Sequence, residues 1–218
     1  MNTHMIKRAE AFLRDTYTAS AYMQKNPADK VYRLEHSYRV ANIAKEIAQA
    51  EGFHVTYAVI AGLLHDISYC EEWETQEQWM NHGRRSAQIV RPFLESLDIP
   101  SADVNDICFG IAIHVDDKAD FEWERTPFCD TVADADNIDR IDAYRIYEHL
   151  EFCKFSQMTL EQKREKVEST LARMQRFKRR KLATDTGTML WIERVDYYTS
   201  FYEKLKAQLD LSNSINII

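Results

Sequence analysis

The chain has 218 residues, 45% of them hydrophobic, which is enough for one domain with a substantial core and a small addition. Its formal net charge of −7 at pH 7 argues against a general nucleic-acid-binding protein, because such proteins need a positive surface to displace phosphate counterions. No apolar run is long enough to cross a bilayer, and the N-terminus lacks the pattern of a signal peptide. We therefore expect a soluble, cytoplasmic protein.

Cysteine and glycine usage excludes further classes of site. The four cysteines lie far apart and form no C-x-x-C pair, which favours reduced thiols over a zinc finger or a disulfide framework. With only five glycines, the chain contains neither a Walker phosphate loop nor a dinucleotide-binding fingerprint. Any phosphate that it handles must therefore meet metal ions or basic side chains.

Helical periodicity dominates the chain and strand alternation is absent, which predicts an all-α fold. One amphipathic helix is predicted from His36 onward, because apolar residues recur there at helical spacing. Gly52 is its predicted end, since glycine is a typical residue to end a helix. Thr56 is the predicted N-cap of the next helix, which is apolar on nearly all sides and therefore buried. That helix ends in His65 and Asp66, two side chains that are costly to bury unless something binds or neutralises them.

The middle of the chain continues this helical pattern after one irregular segment. "SYCEEWETQEQWMN" is acidic and aromatic without a clean period, so we predict a surface loop there. A third helix starts near His82, and Pro92 should kink it or interrupt its hydrogen bonding. A fourth helix begins after Pro100 and carries His114 in its apolar stripe. A charged loop, residues 115 to about 125, precedes a fifth helix over "FCDTVADADNIDRIDAYRIYEHL".

The C-terminal part differs in composition. Thr159 and Gln162 have the spacing of a capping box, and an apolar stripe follows them. The stretch "ATDTG" interrupts this pattern, which resumes over residues 188 to 209. The sequence thus predicts a helical core over residues 1–158 and a C-terminal helical hairpin, residues 159–218, packed on it.

Three histidines occupy positions that suit a metal site. His36 and His114 lie in apolar stripes, and His65 ends the most apolar helix. Taken singly, such a histidine is more often a core residue hydrogen-bonded to the backbone. Three together, one of them beside Asp66, favour a site where helices direct imidazoles and carboxylates toward a divalent ion. Because no cysteine joins the set, a catalytic ion is favoured over a structural one.

A further carboxylate ligand is expected in "VADADNIDRID", where four aspartates lie within nine residues. Asp139 and Asp142 have Arg140 and Arg145 near them at helical spacings and can be explained as surface carboxylates. Asp136 has apolar neighbours and is the better inward candidate.

The stretches "LEHSYRVANIAKEIA", "AGLLHDI" and "VADADNID" resemble the HD superfamily of metal-dependent phosphohydrolases. The resemblance covers about residues 30 to 150. "NHGRRSAQIV" and "IAIHVDD" are similar to the additional histidine segments of members that hold two metals. The resemblance implies an HD-domain helical bundle with Asp66 bridging two ions and six metal ligands: His36, His65, Asp66, His82, His114 and Asp136.

The same resemblance implies that metal-activated hydroxide hydrolyses a phosphate ester or anhydride. The favoured substrate is a nucleotide. Phosphate also needs cationic contacts, and Arg39 and Lys118 follow His36 and His114 closely. We therefore predict Asp66, Arg39 and Lys118 as catalytic residues, although either cation can instead form a surface ion pair.

Three tryptophans flank the predicted site in sequence: Trp73, Trp79 and Trp123. They could stack on a nucleobase, although large aromatic residues beside a loop more often close the core.

Two other functions stay open at this point. Some HD-fold proteins with this six-ligand set are di-iron oxygenases, and others could bind metal in a regulatory module without turnover. We expect one or two divalent ions, with iron, manganese, magnesium, nickel and zinc all open. The expected partner is a small phosphorylated molecule rather than nucleic acid or a membrane, and a homodimer is neither predicted nor excluded.

Overall fold

The computed structural model describes residues 1–213, and this part of the chain contains helices and no strands, as predicted. Short 3-10 helices span Ile67–Cys70 and Phe155–Gln157. No helix in the described residues is long and apolar enough to cross a membrane. The α-helices are α1 (Thr3–Ala19), α2 (Ala21–Lys25), α3 (Pro27–Glu51), α4 (Val55–Leu64), α5 (Gln76–Met80), α6 (His82–Glu95), α7 (Ser101–Ile113), α8 (Thr131–Asp139), α9 (Ala143–Phe152), α10 (Leu160–Phe177) and α11 (Asp185–Asp210).

The chain forms two compact units. The first comprises Met1–Asp139 and the short segment Ala183–Gly187. The second comprises Arg140–Leu182 and the described part of Thr188–Ile218. The boundary after residue 158 that the sequence suggests stays a prediction.

Helix α4 lies at the centre of the first unit and packs against α1, α3, α7 and α8. Eight of its ten residues are buried, as its continuous apolar sequence predicts. Gly62 lets α3 approach closely, since a Cβ atom at this position would lie 2.8 Å from the Cα atom of Ala41. Helix α3 ends at Gly52, whose φ of 75° is the left-handed conformation expected of a helix-ending glycine.

The predicted N-cap of α4 is wrong. His54 occupies that position, and its side chain accepts a hydrogen bond from the backbone N–H of Tyr57. Thr56 is buried inside the helix, where its hydroxyl accepts a hydrogen bond from the backbone N–H of Asn2 at 2.7 Å. This hydrogen bond with Asn2, the residue that caps α1, explains why a capping residue type is found two residues after the actual N-cap.

Two other sequence-based boundaries also need correction. The segment predicted as a loop contains α5, which a complete capping box formed by Thr75 and Gln78 stabilises. The predicted fifth helix is divided into α8 and α9 because Asp142 adopts an extended conformation, and its carboxylate caps α9. By contrast, α6 continues through Pro92.

In the second unit, α10 begins with the predicted capping box of Thr159 and Gln162. Val167 and Met174 of its predicted stripe are buried. The indole of Trp191 on α11 is also buried and donates a hydrogen bond to the carbonyl of Phe177 at 2.8 Å.

Candidate metal centre

The six predicted metal ligands all lie in the first unit, mostly at helix ends. His36 is on α3, His65 and Asp66 directly follow α4, and His82 begins α6. None of the six is more than 8% exposed, so each polar side chain is withdrawn from water. The remaining two members are His114, which follows α7, and Asp136 on α8.

Asp66 is the common member of this cluster. Its Oδ1 atom lies 3.3 Å from Nε2 of His82 and 3.6 Å from Nε2 of both His65 and His114. Its Oδ2 atom lies 3.5 Å from Nε2 of His36. Two groups of three potential ligand atoms, each within 4.8 Å of one another, therefore share this carboxylate: His36, His65 and Asp66, and then Asp66, His82 and His114.

Asp136 completes the side of the cluster that contains His36. Its Oδ1 atom lies 3.3 Å from Nε2 of His36, and the residue is 3% exposed. The structure thus brings all six side chains into one cluster, with Asp66 facing the four histidines. Their roles as ligands stay predictions, because proximity alone does not establish coordination.

Three of the histidines are oriented by their own segment of chain. The Nδ1 atom of each lies within hydrogen-bond distance of the backbone carbonyl three residues earlier. When Nδ1–H donates to this carbonyl, Nε2 carries the lone pair that faces Asp66. The distances are 2.8 Å from His65 to Gly62, 2.6 Å from His82 to Trp79 and 2.6 Å from His114 to Ile111.

His36 is oriented by a carboxylate instead. Its Nδ1 atom lies 2.8 Å from Oδ2 of Asp139, which also accepts hydrogen bonds from the guanidinium of Arg39. Asp139 is only 3% exposed, so the alternative of a surface carboxylate is wrong. It pairs with Arg39 on α3, and sequence spacing on α8 gave no signal for this pairing.

Arg33 is a further site residue that the sequence analysis did not identify. Its Nη1 atom donates to Oδ2 of Asp66 at 2.9 Å, and its guanidinium carbon lies 3.3 Å from the ring centre of Tyr69. The available signal was its position three residues before His36, which places both on one face of α3. Tyr17 fixes the backbone of the same aspartate by donating its hydroxyl to the Asp66 carbonyl.

The two predicted catalytic cations occupy different surroundings. Arg39 lies behind His36 and binds Asp139 at 2.7 Å. The side chain of Lys118 is 73% exposed, with its Nζ atom 3.8 Å from Asp116. Neither position tests a role in phosphate binding, which stays a prediction for both.

Burial and charge shift the pKa values of His65 and His36 in opposite directions. Burial lowers the pKa of His65 to about 4, so this ring is neutral at neutral pH. Burial opposes protonation of His36 too, but its hydrogen bonds with Asp136, Asp139 and Asp66 outweigh that effect and raise its pKa.

The carboxylates of Asp66 and Asp139 both stay ionised. Burial alone would raise the pKa of Asp66, yet the surrounding imidazoles, first that of His65, hold it well below its usual value. Burial also opposes ionisation of Asp139, but His36 and Arg39 lower its pKa. Ionised carboxylates beside neutral imidazole are an environment that favours a bound cation.

The chemistry of these six side chains fits a bound divalent metal ion. Among the described residues, the buried Nε2 atoms of His65 and His114 have no hydrogen-bond partner, which is costly for polar atoms withdrawn from water. A metal ion would satisfy both lone pairs, and imidazole with carboxylate is the donor set of zinc, iron, manganese and similar ions. The sharing of Asp66 by two ligand groups fits one or two ions.

Comparisons with known proteins concern the family and the fold of the chain. The HD domain family model matches residues 33–144. A predicted HD superfamily hydrolase from an uncultured Thermotogales bacterium is similar in structure, with 19% identity, a TM-score of 0.64 and coverage of 93% of this chain and 91% of that chain. No curated protein sequence shows significant similarity to the chain.

Two other crystal structures share the fold. Bacillus subtilis YpgQ in complex with ADP has 19% identity and a TM-score of 0.62, covering 94% of this chain and 95% of that chain. A protein from Lactobacillus plantarum has 17% identity and a TM-score of 0.53, covering 97% and 99%. The helical architecture predicted from sequence is thus the architecture of these proteins.

Proposed function

This chain belongs to the HD domain family, and from that premise we propose that it is a metal-dependent phosphohydrolase that cleaves a phosphate ester or anhydride of a nucleotide. The observation that carries the proposal is the position of Asp66, whose two carboxylate oxygens face four buried imidazole Nε2 atoms. The choice of a nucleotide is supported by the ADP in the structure of YpgQ, a protein of similar fold.

Six side chains of this chain would hold the metal. Bound ions would polarise phosphate oxygens and make water acidic enough to attack phosphorus near neutral pH. Asp66 would be shared, as its place in both ligand groups suggests. The first ion would be held by His36, His65 and Asp136, and the second by His82 and His114.

The protein's own contribution is orientation and positive charge. The backbone carbonyls and Asp139 fix the ring planes, so that the ligand nitrogens need no reorganisation when a substrate binds. Arg33 has a 22% exposed side chain beside Asp66, where its guanidinium can bind a phosphate oxygen with two donors. We propose Arg33 as a phosphate contact, in addition to the predicted contacts from Arg39 and Lys118.

Elemental analysis combined with a substrate panel tests this function. The purified protein should contain divalent metal and, when loaded with Mn²⁺ under anaerobic conditions, should hydrolyse at least one class in the panel. Nucleoside monophosphates would give nucleoside and phosphate, cyclic nucleotides would give nucleoside monophosphates, and dinucleotide polyphosphates would give two mononucleotides. A mixed-valent iron signal with oxygen-dependent turnover would establish the oxygenase alternative instead. Stoichiometric metal without hydrolysis of any member of the panel would favour the regulatory module.

The remaining sequence-based expectations stay predictions. They are a small-molecule partner rather than nucleic acid or a membrane, and a cytoplasmic location. Size-exclusion chromatography with light scattering would decide between a monomer and a homodimer.

A further inference from the structure

Trp79 on α5 lies beside the metal centre and is still 40% exposed. Its ring centre is 5.7 Å from that of His82, and its backbone carbonyl accepts the hydrogen bond that orients the same imidazole. The indole Nε1 donates to the hydroxyl of Tyr69 at 2.8 Å. The ring is therefore fixed in place next to a predicted ligand, although part of the residue is exposed.

Tyr69 extends this aromatic surface toward Asp66. Its ring centre lies 5.1 Å from that of His82, and the guanidinium of Arg33 covers it at 3.3 Å. Since Arg33 also pairs with Asp66, positive charge and two aromatic rings adjoin the cluster on one side. We call Arg33, Tyr69 and Trp79 the aromatic wall.

A tryptophan that only closes the core does not need this exposure. Trp191, in the second unit, is 2% exposed and hydrogen-bonds to a backbone carbonyl. Trp79 is anchored to another side chain by its nitrogen while part of the residue remains accessible, and anchoring lowers the entropy lost when a planar ligand stacks on it. The wall thus combines a π surface with a cation beside the predicted phosphate site.

We propose that the aromatic wall selects nucleotides among phosphate compounds, with the base stacked on Trp79 while the phosphates bind at Arg33 and the metal centre. This specificity rests on the proposed function, because it assumes that phosphate binds at the metal centre. Stacking on an aromatic side chain tolerates any base, so the wall recognises the class of nucleotides rather than one base.

Equilibrium binding to the Mn²⁺-loaded protein tests the proposal without requiring turnover. The probes are the non-hydrolysable α,β-methylene analogue of ADP and methylenediphosphonate, which has similar phosphorus chemistry but no base. The wild type should bind the nucleotide analogue about tenfold more tightly, the effect of one stacked base. Trp79→Leu should abolish most of that preference, whereas Trp79→Phe should keep most of it.

Trp123→Leu is the matched control. Trp123 is 36% exposed and its indole also donates to a side chain, Asp106, which precedes His114 by eight residues or about 12 Å along α7. This variant should keep the wild-type preference. Metal content and methylenediphosphonate affinity should be unchanged in all variants, which would show that the centre itself is intact.

The possible failures are distinguishable. Equal wild-type affinities for the two probes would overturn the aromatic wall, even if the protein hydrolysed phosphate compounds. An equal loss of preference in Trp79→Leu and Trp123→Leu would do the same. A preference that depends on Trp79, without hydrolysis of any nucleotide, would preserve the wall and refute the phosphohydrolase.

Discussion

The histidines of the metal centre are oriented in two different ways. His65, His82 and His114 each use a backbone carbonyl three residues earlier, so a helix end alone fixes their rings. His36 uses the Asp139 carboxylate, 103 residues away, and therefore needs α3 and α8 to be packed together. The ring orientations of three histidines are thus set by local structure. The orientation of His36 depends on tertiary structure and on the side chain of Asp139, which a substitution can remove.

Replacement of the residue common to both parts should have the largest effect. In Asp66→Ala, both ligand groups lose their shared carboxylate, and four imidazoles remain without the charge that they face. We expect loss of all bound metal and of activity, measured by elemental analysis and phosphate release. A variant that retained two ions per chain would refute the assignment of Asp66 as the bridge.

Loss of one locally oriented ligand should be selective. His82→Ala leaves the contacts of His36, Asp136 and Asp139 intact, so we expect the loss of one ion while the other remains bound. Calorimetric titration with Mn²⁺ would show one site instead of two. The exposed His4 provides the control, since His4→Ala should bind metal like the wild type. Loss of both ions from His82→Ala would show that the two parts do not bind independently.

The sequence revealed site residues where a local pattern contains them. His36, His65, Asp66 and His114 interrupt apolar helical patterns, and their burial follows from local periodicity. The roles of Asp139 and Arg33 depend on partners 103 and 33 residues away, so no local pattern contains them.

The fold shows the same limit. Helix α3 was predictable because its apolar stripe repeats from turn to turn, and α4 was predictable because its sequence is apolar on nearly all sides. The five residues of α5 are too few for a period, although the spacing of Thr75 and Gln78 was a usable signal. The division between α8 and α9 depends on the conformation of Asp142, whose residue type is compatible with either a helix interior or a cap.

Asp139→Asn tests directly whether a distant carboxylate tunes His36. The substitution keeps the volume but removes the charge that fixes and polarises the imidazole, so metal affinity at the His36 side should fall about 10- to 100-fold. Affinity at the His82 side should stay the same in the same Mn²⁺ titration. Unchanged affinity at both sites would show that Asp139 supports the packing of Arg39 rather than the metal ligand.

Asp142→Asn is the matched control for this substitution. Asp142 belongs to the same acidic run, but it caps α9, a position where asparagine serves about as well as aspartate. We expect no change in metal affinity. A comparable loss in this variant would mean that the net charge of the run, rather than the contact with His36, determines affinity.

Substitution of Asp134 should have the smallest effect on metal affinity among these ligand-region variants. The side chain of Asp134 links α8 to the segment Ala183–Gly187 by hydrogen bonds. Its carboxylate accepts hydrogen bonds from the backbone N–H groups of Ala183 and Thr184 and from the Thr184 hydroxyl. The side chain is 3% exposed, and burial raises its pKa. Apolar packing also holds α8 in place, because this helix buries the side chains of Val132, Ala135 and Ile138.

Asp134→Ala therefore separates stability from metal binding. It leaves two backbone donors without their acceptor, which should lower the free energy of unfolding by about 1 to 3 kcal/mol in urea titrations. Metal affinity should change little, because α8 keeps its apolar contacts. Glu51→Gln removes only the charge from the contact with Thr186 in the same segment and keeps an oxygen acceptor, so it should destabilise less. A loss of metal affinity in Asp134→Ala as large as that in Asp139→Asn would contradict this expectation. That result would show that the hydrogen bonds of Asp134, rather than the apolar packing of α8, position the carboxylate that orients His36.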